Sequence, residues 1–147
     1  DPTDDPVLFR LFNEIGIIEQ LARNRLERVL PDGLKMSQFI VLNHFVRLGG
    51  EWAPARLARA FQVTKGAMTN TLSRLENRGL VRVVADPSDG RGKLVSITAA
   101  GKYVHIQCLQ GIGPFLAELS MEIPEKDISA ALPILENIRK YLDSHRS

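Results

Sequence analysis

The sequence has one cysteine, Cys108, among its 147 residues, and only 6% of its residues are aromatic. A single cysteine forms no internal disulfide and leaves no zinc-ribbon or redox-pair spacing, so we expect Cys108 to be a buried packing residue. No apolar run approaches the roughly eighteen residues that cross a bilayer, and the acidic start at residues 1–5 differs from the basic opening of a signal peptide. These absences predict a cytoplasmic protein without membrane contact.

Motifs of catalysis and cofactor binding are also missing. The sequence has no Gly-x-Ser-x-Gly elbow, no constellation of paired acids, no phosphate-binding glycine loop and no dinucleotide fingerprint. His44, His105 and His145 lie far apart, without a nearby Cys or acidic ligand pattern. A lone histidine on a helix is more often structural than metal-bound. We therefore expect neither an enzyme nor a cofactor or metal site.

Charge is unevenly distributed along the chain. Residues 53–93 contain eight cations and three acids, a net charge of +5, whereas the whole chain carries +2 and the remainder therefore carries −3. A basic segment between acidic flanks is expected when that segment faces a polyanion, although such an asymmetry also arises by chance. With 44% hydrophobic and 24% charged residues, the chain has the composition of one globular domain or one core with appended helices.

The flanks of this basic segment have apolar residues at helical spacing. A first helix of about 25 residues starts at Asp5-Pro6 and stops at Pro31-Asp32-Gly33, and a second stops at Gly49-Gly50. Trp52 then begins a short strand. Two further helices follow residue 98, the last of them opening at Pro124-Glu125.

The last two predicted helices contain helix-breaking residues. Gly111, Gly113 and Pro114 fall in one and Pro133 in the other, which predicts a kink or break at each proline. The helical flanks present more apolar surface than a small domain covers, so we expect a homodimer to bury the rest. The alternative is a monomer with a self-contained helical core.

The basic segment itself predicts two short helices and a hairpin. Pro54 opens the first helix at its favoured first position, and the second runs from Thr64 to Leu75. Helical period divides this second helix into two faces. The packing face comprises Ala67, Met68, Thr71, Leu72 and Leu75. The exposed face comprises Lys65, Gly66, Thr69, Asn70, Ser73 and Arg74.

Hydroxyls, an amide and cations without a long acid suit a helix that lies in the major groove of DNA. We expect phosphate contacts from Thr64, Lys65 and Arg74 and base contacts from Thr69, Asn70 and Ser73. Gly66 permits close approach. Asn70 suits bidentate recognition of adenine, although its amide also suits a phosphate. The alternative for the whole stripe is an ordinary amphipathic surface helix.

A basic hairpin follows the second helix. After a turn at Arg78-Gly79, the β-branched segments 80–85 and 93–98 flank a turn over residues 86–92 that is long enough to project as a wing. Arg91 lies at its tip, where a cation enters a minor groove readily. The alternative is a solvated loop arginine.

The main alternative function is a winged-helix module that binds an acidic protein surface. Protein interfaces favour large aromatic and aliphatic anchors, which the exposed face of the second helix lacks. The residues therefore favour double-stranded DNA. A homodimer places two reading helices on a palindrome whose half-sites lie about 34 Å apart.

The chain resembles the MarR family of bacterial transcriptional regulators over nearly its whole length. The most specific residues are Asp89-x-Arg91 and the following Ile97-Thr98-Ala99-Ala100-Gly101. The resemblance implies a mainly α fold with a small β-hairpin: a winged helix-turn-helix with N- and C-terminal dimerisation helices. The implied division is a dimerisation helix in residues 1–34, the DNA-binding domain in 35–98 and dimerisation helices in 99–147.

The resemblance also implies how the protein works. Arg91 enters the minor groove, Asp89 helps to hold it, and a homodimeric repressor is released by a small aromatic or lipophilic effector. Phe39, Asn43, His44 and Trp52 are candidates for an effector pocket, but such side chains are more often core, and no ligand residue is assigned. Thiol sensing is disfavoured because Cys108 lies late. Lys35 and Ala53 replace the family's usual Ser or Thr caps, so their helices fray or use other partners.

Overall fold

The computed structural model describes residues 6–146, which form six α-helices, one short 3-10 helix and one antiparallel hairpin. The elements are α1 Val7–Glu27, the 3-10 helix Pro31–Gly33, α2 Met36–Leu48, α3 Pro54–Phe61, α4 Lys65–Asn77, β1 Val81–Asp86, β2 Asp89–Ile97, α5 Ala99–Glu122 and α6 Glu125–Ser144. This confirms the predicted mainly α fold with a small hairpin. The chain divides into two compact units, one ending at Ile112 and the other beginning at Gly113. Among the described residues, no helix is both long and apolar enough to span a membrane.

The core of the first unit lies among α2, α3, α4 and the base of the hairpin. Its largest side chains with less than 2% exposure are Phe45, Leu34, Leu42, Leu57, Leu75, Val41, Val95 and Cys108. Burial of each large aliphatic side chain contributes about 1.5–3 kcal/mol to folding. This packing fixes α4 against α3, and the prediction that Cys108 is buried is confirmed.

The hairpin is longer and its turn tighter than the sequence predicts. β1 and β2 pair antiparallel from Val81 and Ile97 outward, and the chain reverses over Pro87 and Ser88 alone. The carboxylate Oδ1 of Asp86 accepts hydrogen bonds from the Ser88 N–H at 2.9 Å and the Ser88 hydroxyl at 2.8 Å. The predicted turn over residues 86–92 is therefore wrong in extent, because the Asp86 side chain closes a shorter one.

A bulge follows this turn. Ala85 pairs with Lys93 and Asp86 pairs with Asp89, so residues 90–92 are additional on the β2 side. Arg91 lies in this bulge rather than at the turn itself. At the base of the hairpin, Trp52 forms an isolated bridge with Val95 through two backbone hydrogen bonds of 2.9 Å, so a single bridge residue stands where the sequence predicts a short strand.

The first helix ends earlier than predicted. α1 has 21 residues and stops at Glu27, and Asp5 of the predicted start lies outside the described residues. The Glu27 carboxylate accepts the Met36 N–H at 2.9 Å, and the Gln38 side-chain oxygen accepts the Lys35 N–H at 3.0 Å. The start of α2 thus uses other partners in place of a Ser or Thr cap.

Helix α3, which also lacks a Ser or Thr cap, has fewer backbone N–H groups to satisfy at its start. Ala53 makes no side-chain cap hydrogen bond, and Pro54 occupies the first helical position, where its missing N–H leaves one donor fewer to satisfy. The two helices that lack a Ser or Thr cap therefore start differently: α2 uses side chains of other residues, and α3 uses a proline.

Neither proline breaks its helix. α5 continues through Pro114 and α6 continues through Pro133, so the predicted breaks are wrong. An interior proline costs on the order of 3 kcal/mol, but it removes only one backbone donor from helices of 24 and 20 residues. Gly111 has a packing role, since a Cβ there would overlap the carbonyl oxygen of Val29.

Candidate nucleic-acid interface

Helix α4 presents the polar face that its helical period predicts. Met68, Leu72 and Leu75 are buried. The six residues of the exposed face are all exposed: Lys65, Gly66, Thr69, Asn70, Ser73 and Arg74. Ala67, predicted on the packing face, is also exposed, because it lies in the first turn and core contact begins at Met68. The name α4 face is used below for the six exposed residues Lys65, Gly66, Thr69, Asn70, Ser73 and Arg74.

The N-terminus of α4 is capped and free of negative charge. The Thr64 hydroxyl accepts the Ala67 N–H at 3.1 Å, and the first turn contains no acidic residue. A helix N-terminus carries partial positive charge, which Lys65 reinforces. The start of α4 therefore suits a phosphate, while the oxygen of Thr64 already serves as a helix cap.

Two side chains of the α4 face contact each other. Arg74 Nε donates to Asn70 Oδ1 at 3.4 Å, across one helical turn. Bidentate recognition of adenine uses both the oxygen and the nitrogen of an Asn amide. Asn70 must therefore exchange this long, exposed bond for the base, which frees the Arg74 guanidinium for another acceptor.

Two residues of the α4 face, Lys65 and Thr69, and the hairpin line one open cleft of about 380 Å³. Its lining residues are Ala53, Pro54, Ala55, Lys65, Thr69, Asp89, Arg91, Gly92 and Lys93. Among the residues that the structure describes, no carboxylate lies within ion-pair distance of Lys65, Arg91 or Lys93. Three cations from two elements therefore share one solvent-open groove. We call it the basic cleft.

Asp89 shapes the wing at this cleft. Its carboxylate Oδ1 accepts the backbone N–H of Arg91 at 3.1 Å. Asp89 thus holds the backbone of Arg91 within the bulge, and the Arg91 side chain remains exposed.

The structure also adds residues that the sequence did not single out as site residues. Lys93 lines the basic cleft from β2, and the N-terminus of α3 lines it at Pro54 and Ala55. Ser73 joins Thr69 and Lys93 in a smaller adjoining recess of about 110 Å³. The signal available in the sequence for Lys93 was its cationic side chain, two residues after Arg91 in the basic hairpin.

The candidate effector residues divide into two separate clusters rather than converging. In the first, the His105 ring stacks on Phe39 with centroids 5.7 Å apart, and His105 Nε2 lies 2.9 Å from Asn43 Oδ1. His105 is buried, and burial lowers its pKa. This cluster connects α2 to α5.

The second cluster lies between α2, α3 and the Trp52 bridge. The His44 ring contacts Trp52 and Phe61 with centroids 4.4 and 5.1 Å apart, and its buried Nε2 has no hydrogen-bond partner among the described residues. Burial lowers the pKa of His44, and the nearby cations Arg47 and Arg56 lower it further. The Arg56 guanidinium carbon lies 3.9 Å from the centre of the Trp52 ring. The four candidate effector residues are therefore core and near-core side chains: Phe39, Asn43, His44 and Trp52.

Two other kinds of site have little support in the structure. Cys108 is fully buried, and burial raises the pKa of its thiol to about 11, which disfavours the reactive thiolate. Among residues 6–146, no three His, Cys, Asp or Glu side chains group as a metal site would require.

Comparison with known proteins identifies relatives along most of the chain. A model of the MarR family matches residues 32–92. The multiple antibiotic resistance protein MarR of Escherichia coli K12 is 30% identical over 137 residues, which are 87% of this chain and 94% of that protein. The transcriptional activatory protein BadR of Rhodopseudomonas palustris is 26% identical over 144 residues, which are 93% and 81% of the two chains.

A solved structure agrees with these sequence relatives. The crystal structure of a cysteine-to-serine mutant of E. coli MarR complexed with operator DNA has a TM-score of 0.74 and 28% identity to this chain, and it covers 89% of this chain and 94% of its own. The identity to MarR over nearly its entire length confirms the resemblance that the wing residues indicate. The chain therefore belongs to the MarR family of transcriptional regulators.

Proposed function

We propose that this protein is a dimeric, sequence-specific regulator that binds double-stranded DNA through the basic cleft. The observation that carries this proposal is the cleft itself, in which Lys65 and Thr69 of the α4 face line one groove with Arg91 of the wing. A convex polar helix beside a basic hairpin matches the major groove and the adjacent minor groove of a duplex. A mutant of E. coli MarR that was crystallised with operator DNA has the same fold at 28% identity.

Each site residue receives a role in this proposal. Phosphate contacts belong to Thr64, Lys65 and Arg74, and base contacts belong to Thr69, Asn70 and Ser73. Gly66 permits close approach of the helix backbone, Arg91 enters the minor groove, and Asp89 supports it through the backbone bond described above. Lys93 adds a second wing cation toward the phosphates.

A second copy of this chain is the proposed partner of the terminal helices. No residue of α1 is buried, and its exposed apolar side chains include Leu8 and Phe12, which lie on one side of the helix. No residue of α6 is buried within its own unit. Such apolar surface is expected to be covered in a stable protein. We therefore assign residues 1–34 and 99–147 to dimerisation and residues 35–98 to DNA binding.

Regulation by a small effector is part of the proposal. An open cavity of about 600 Å³ lies between α2, β2 and α5, with Phe45 and Ile106 beside Lys102 and His105. Its volume lies in the range of small-molecule sites, and its lining combines apolar side chains with the cation Lys102 and the acid Glu51, which suits a small aromatic or lipophilic ligand with a polar group. We propose a repressor that such a ligand releases from DNA. As a regulator of transcription it acts in the cytoplasm, and the family is one of regulators rather than enzymes.

Selection from a random duplex library tests DNA binding directly. We expect the wild-type chain to enrich an inverted repeat, which then serves as the operator in fluorescence-anisotropy titrations at several salt concentrations. Replacing Arg91 and Lys93 by alanine should weaken binding and reduce the salt slope by about two, because each lost phosphate contact releases about one counterion fewer.

The matched control is Lys126→Ala, which removes an exposed cation from α6. It should leave the operator affinity and the salt slope unchanged. An unchanged slope in the Arg91 and Lys93 variant would contradict the role of the wing. Failure of the wild type to enrich any duplex would favour the alternative function, a winged-helix module that binds an acidic protein.

A further inference from the structure

The exit of α4 and the entrance of α5 meet beneath the base of the hairpin. α4 is followed by Gly79, whose φ of +72° suits glycine, and the Leu80 N–H donates to the carbonyl of Leu75 at 2.9 Å. The chain then leaves through β1 and returns through β2 to Thr98. The whole wing is thus an excursion from a junction between two helices.

Thr98 closes this junction with three hydrogen bonds. Its hydroxyl donates to the Gly79 carbonyl at 2.6 Å, and its backbone N–H donates to the Leu80 carbonyl at 3.1 Å. The same hydroxyl oxygen accepts the Gly101 N–H at 3.0 Å, which caps the first turn of α5. The Thr98 side chain therefore joins Gly79, just after the end of α4, to Gly101 in the first turn of α5.

Close packing reinforces these hydrogen bonds. Gly101 is buried, and a Cβ at this position would overlap the carbonyl oxygen of Leu80 and lie 2.7 Å from Cγ1 of Ile97. Only glycine lets the first turn of α5 rest directly on the backbone that follows α4. Leu80 and Val81 are buried beside this contact, so the junction is anchored in the core.

We propose that Thr98 is a positioning residue for operator binding, because its clamp on Gly79 and Leu80 makes α4 and the first turn of α5 move as one rigid unit. This inference rests on the proposed function. Two recognition helices must match half-sites about one helical turn apart, so their spacing in a dimer depends on a stiff connection to the dimerisation helices. The clamp supplies that connection without passing through the wing.

The test compares Thr98→Val, which keeps the shape of the side chain but removes its hydroxyl, with Thr98→Ser, which keeps the hydroxyl. Anisotropy titrations use the selected inverted repeat, versions whose half-sites are moved apart or together, and a single half-site. We expect Thr98→Val to lose roughly tenfold in affinity for the full repeat, within the usual range of coupling between sites. It should bind the single half-site as the wild type does and discriminate less between spacings. Thr98→Ser should restore both properties.

Gly101→Ala gives a second, independent test. A Cβ at Gly101 meets the Leu80 carbonyl, whereas a Cβ at Gly113 in the same helix meets nothing within 4 Å, so Gly113→Ala is the control for helix propensity in thermal melting. Gly101→Ala should weaken binding of the full repeat more than that of the half-site. Thermal melting confirms that each variant is folded.

The outcomes separate this inference from the proposed function. If the wild type binds no duplex, the proposed function fails and the positioning role fails with it. If the wild type binds the repeat but Thr98→Val keeps its full affinity and spacing preference, the positioning role alone is wrong. Equal losses on the full repeat and the half-site would show that the hydroxyl merely supports the local fold.

Discussion

Two exposed surfaces of this chain have opposite chemistry. The α4 face carries hydroxyls, an amide and cations. The surface of α1 carries large apolar side chains, of which Val7, Leu8 and Leu21 are 80%, 60% and 65% exposed. Both are helices with one solvent-facing side, so secondary structure does not account for the difference.

The difference indicates two kinds of partner. An exposed polar face is stable in water and suits a hydrated, charged ligand such as a DNA duplex. Exposing an apolar face to water is unfavourable by about 25 cal/mol per Å², so contact with another apolar surface stabilises it. In our proposal the chain separates DNA recognition from association with a second copy, and the clamp at Thr98 connects the two.

The largest expected effect comes from disrupting the apolar surface. Leu8→Glu combined with Phe12→Glu places two charges one helical turn apart on α1. Because a dimer interface cannot accommodate unpaired charges, we expect monomers in sedimentation analysis and a loss of operator affinity of at least about a hundredfold. Asn13→Glu adds a charge at an exposed polar position of the same helix as the control. A double variant that remains dimeric would contradict the assignment of α1.

A smaller effect is expected from the polar surface. Asn70→Ala removes the amide that suits adenine, and one bidentate base contact contributes about 1–3 kcal/mol of discrimination. Binding to the operator should weaken by roughly 5- to 150-fold, while binding to scrambled duplex changes little. Asn77→Ala, at the exposed C-terminal end of α4, is the matched control. Equal losses on operator and scrambled DNA would exclude Asn70 as a base reader.

The smallest expected effect concerns His44, which packs against α3. It changes the pH dependence of the free energy of unfolding and leaves the exposed surfaces unaltered. The pKa of His44 is lowered from 6.5 by burial and by Arg47 and Arg56. The unfolded state therefore binds the proton first as the pH falls, and the free energy of unfolding decreases below about pH 6.5. Urea unfolding on both sides of this pH should show a smaller decrease for His44→Gln than for the wild type. His145→Gln, at an exposed position, should behave as the wild type. If the free energy of unfolding decreases equally in the wild type and in both variants, His44 is not a source of the pH dependence.

The sequence predicts features that depend on local periodicity. Met68, Leu72 and Leu75 recur at helical spacing, and this places the polar side chains of α4 outward as observed. The hairpin was predictable from its β-branched residues for the same reason, since alternation along a strand is a local signal.

Features that depend on distant partners were not predictable. The Glu27 carboxylate reaches the Met36 N–H, and Gly111 accommodates the carbonyl of Val29. The Thr98 hydroxyl reaches a carbonyl nineteen residues away. No periodicity encodes such contacts, because they arise only when the elements pack. The short turn at Pro87 and Ser88 was missed for a related reason, since two glycines and a proline also fit a longer loop.

Cysteine-directed photocrosslinking tests the basic cleft most directly. Cys108 is fully buried with a pKa of about 11, so an introduced exposed cysteine should be labelled selectively. Thr69→Cys and Arg91→Cys, each carrying a photoactivatable group, are crosslinked to the selected operator and the modified bases are mapped. We predict that Thr69 reacts at two symmetric major-groove positions about one helical turn apart, and that Arg91 reacts at the minor groove adjacent to each of them. Crosslinks at a single place, or none from either residue while Lys126→Cys on α6 reacts, would contradict the account.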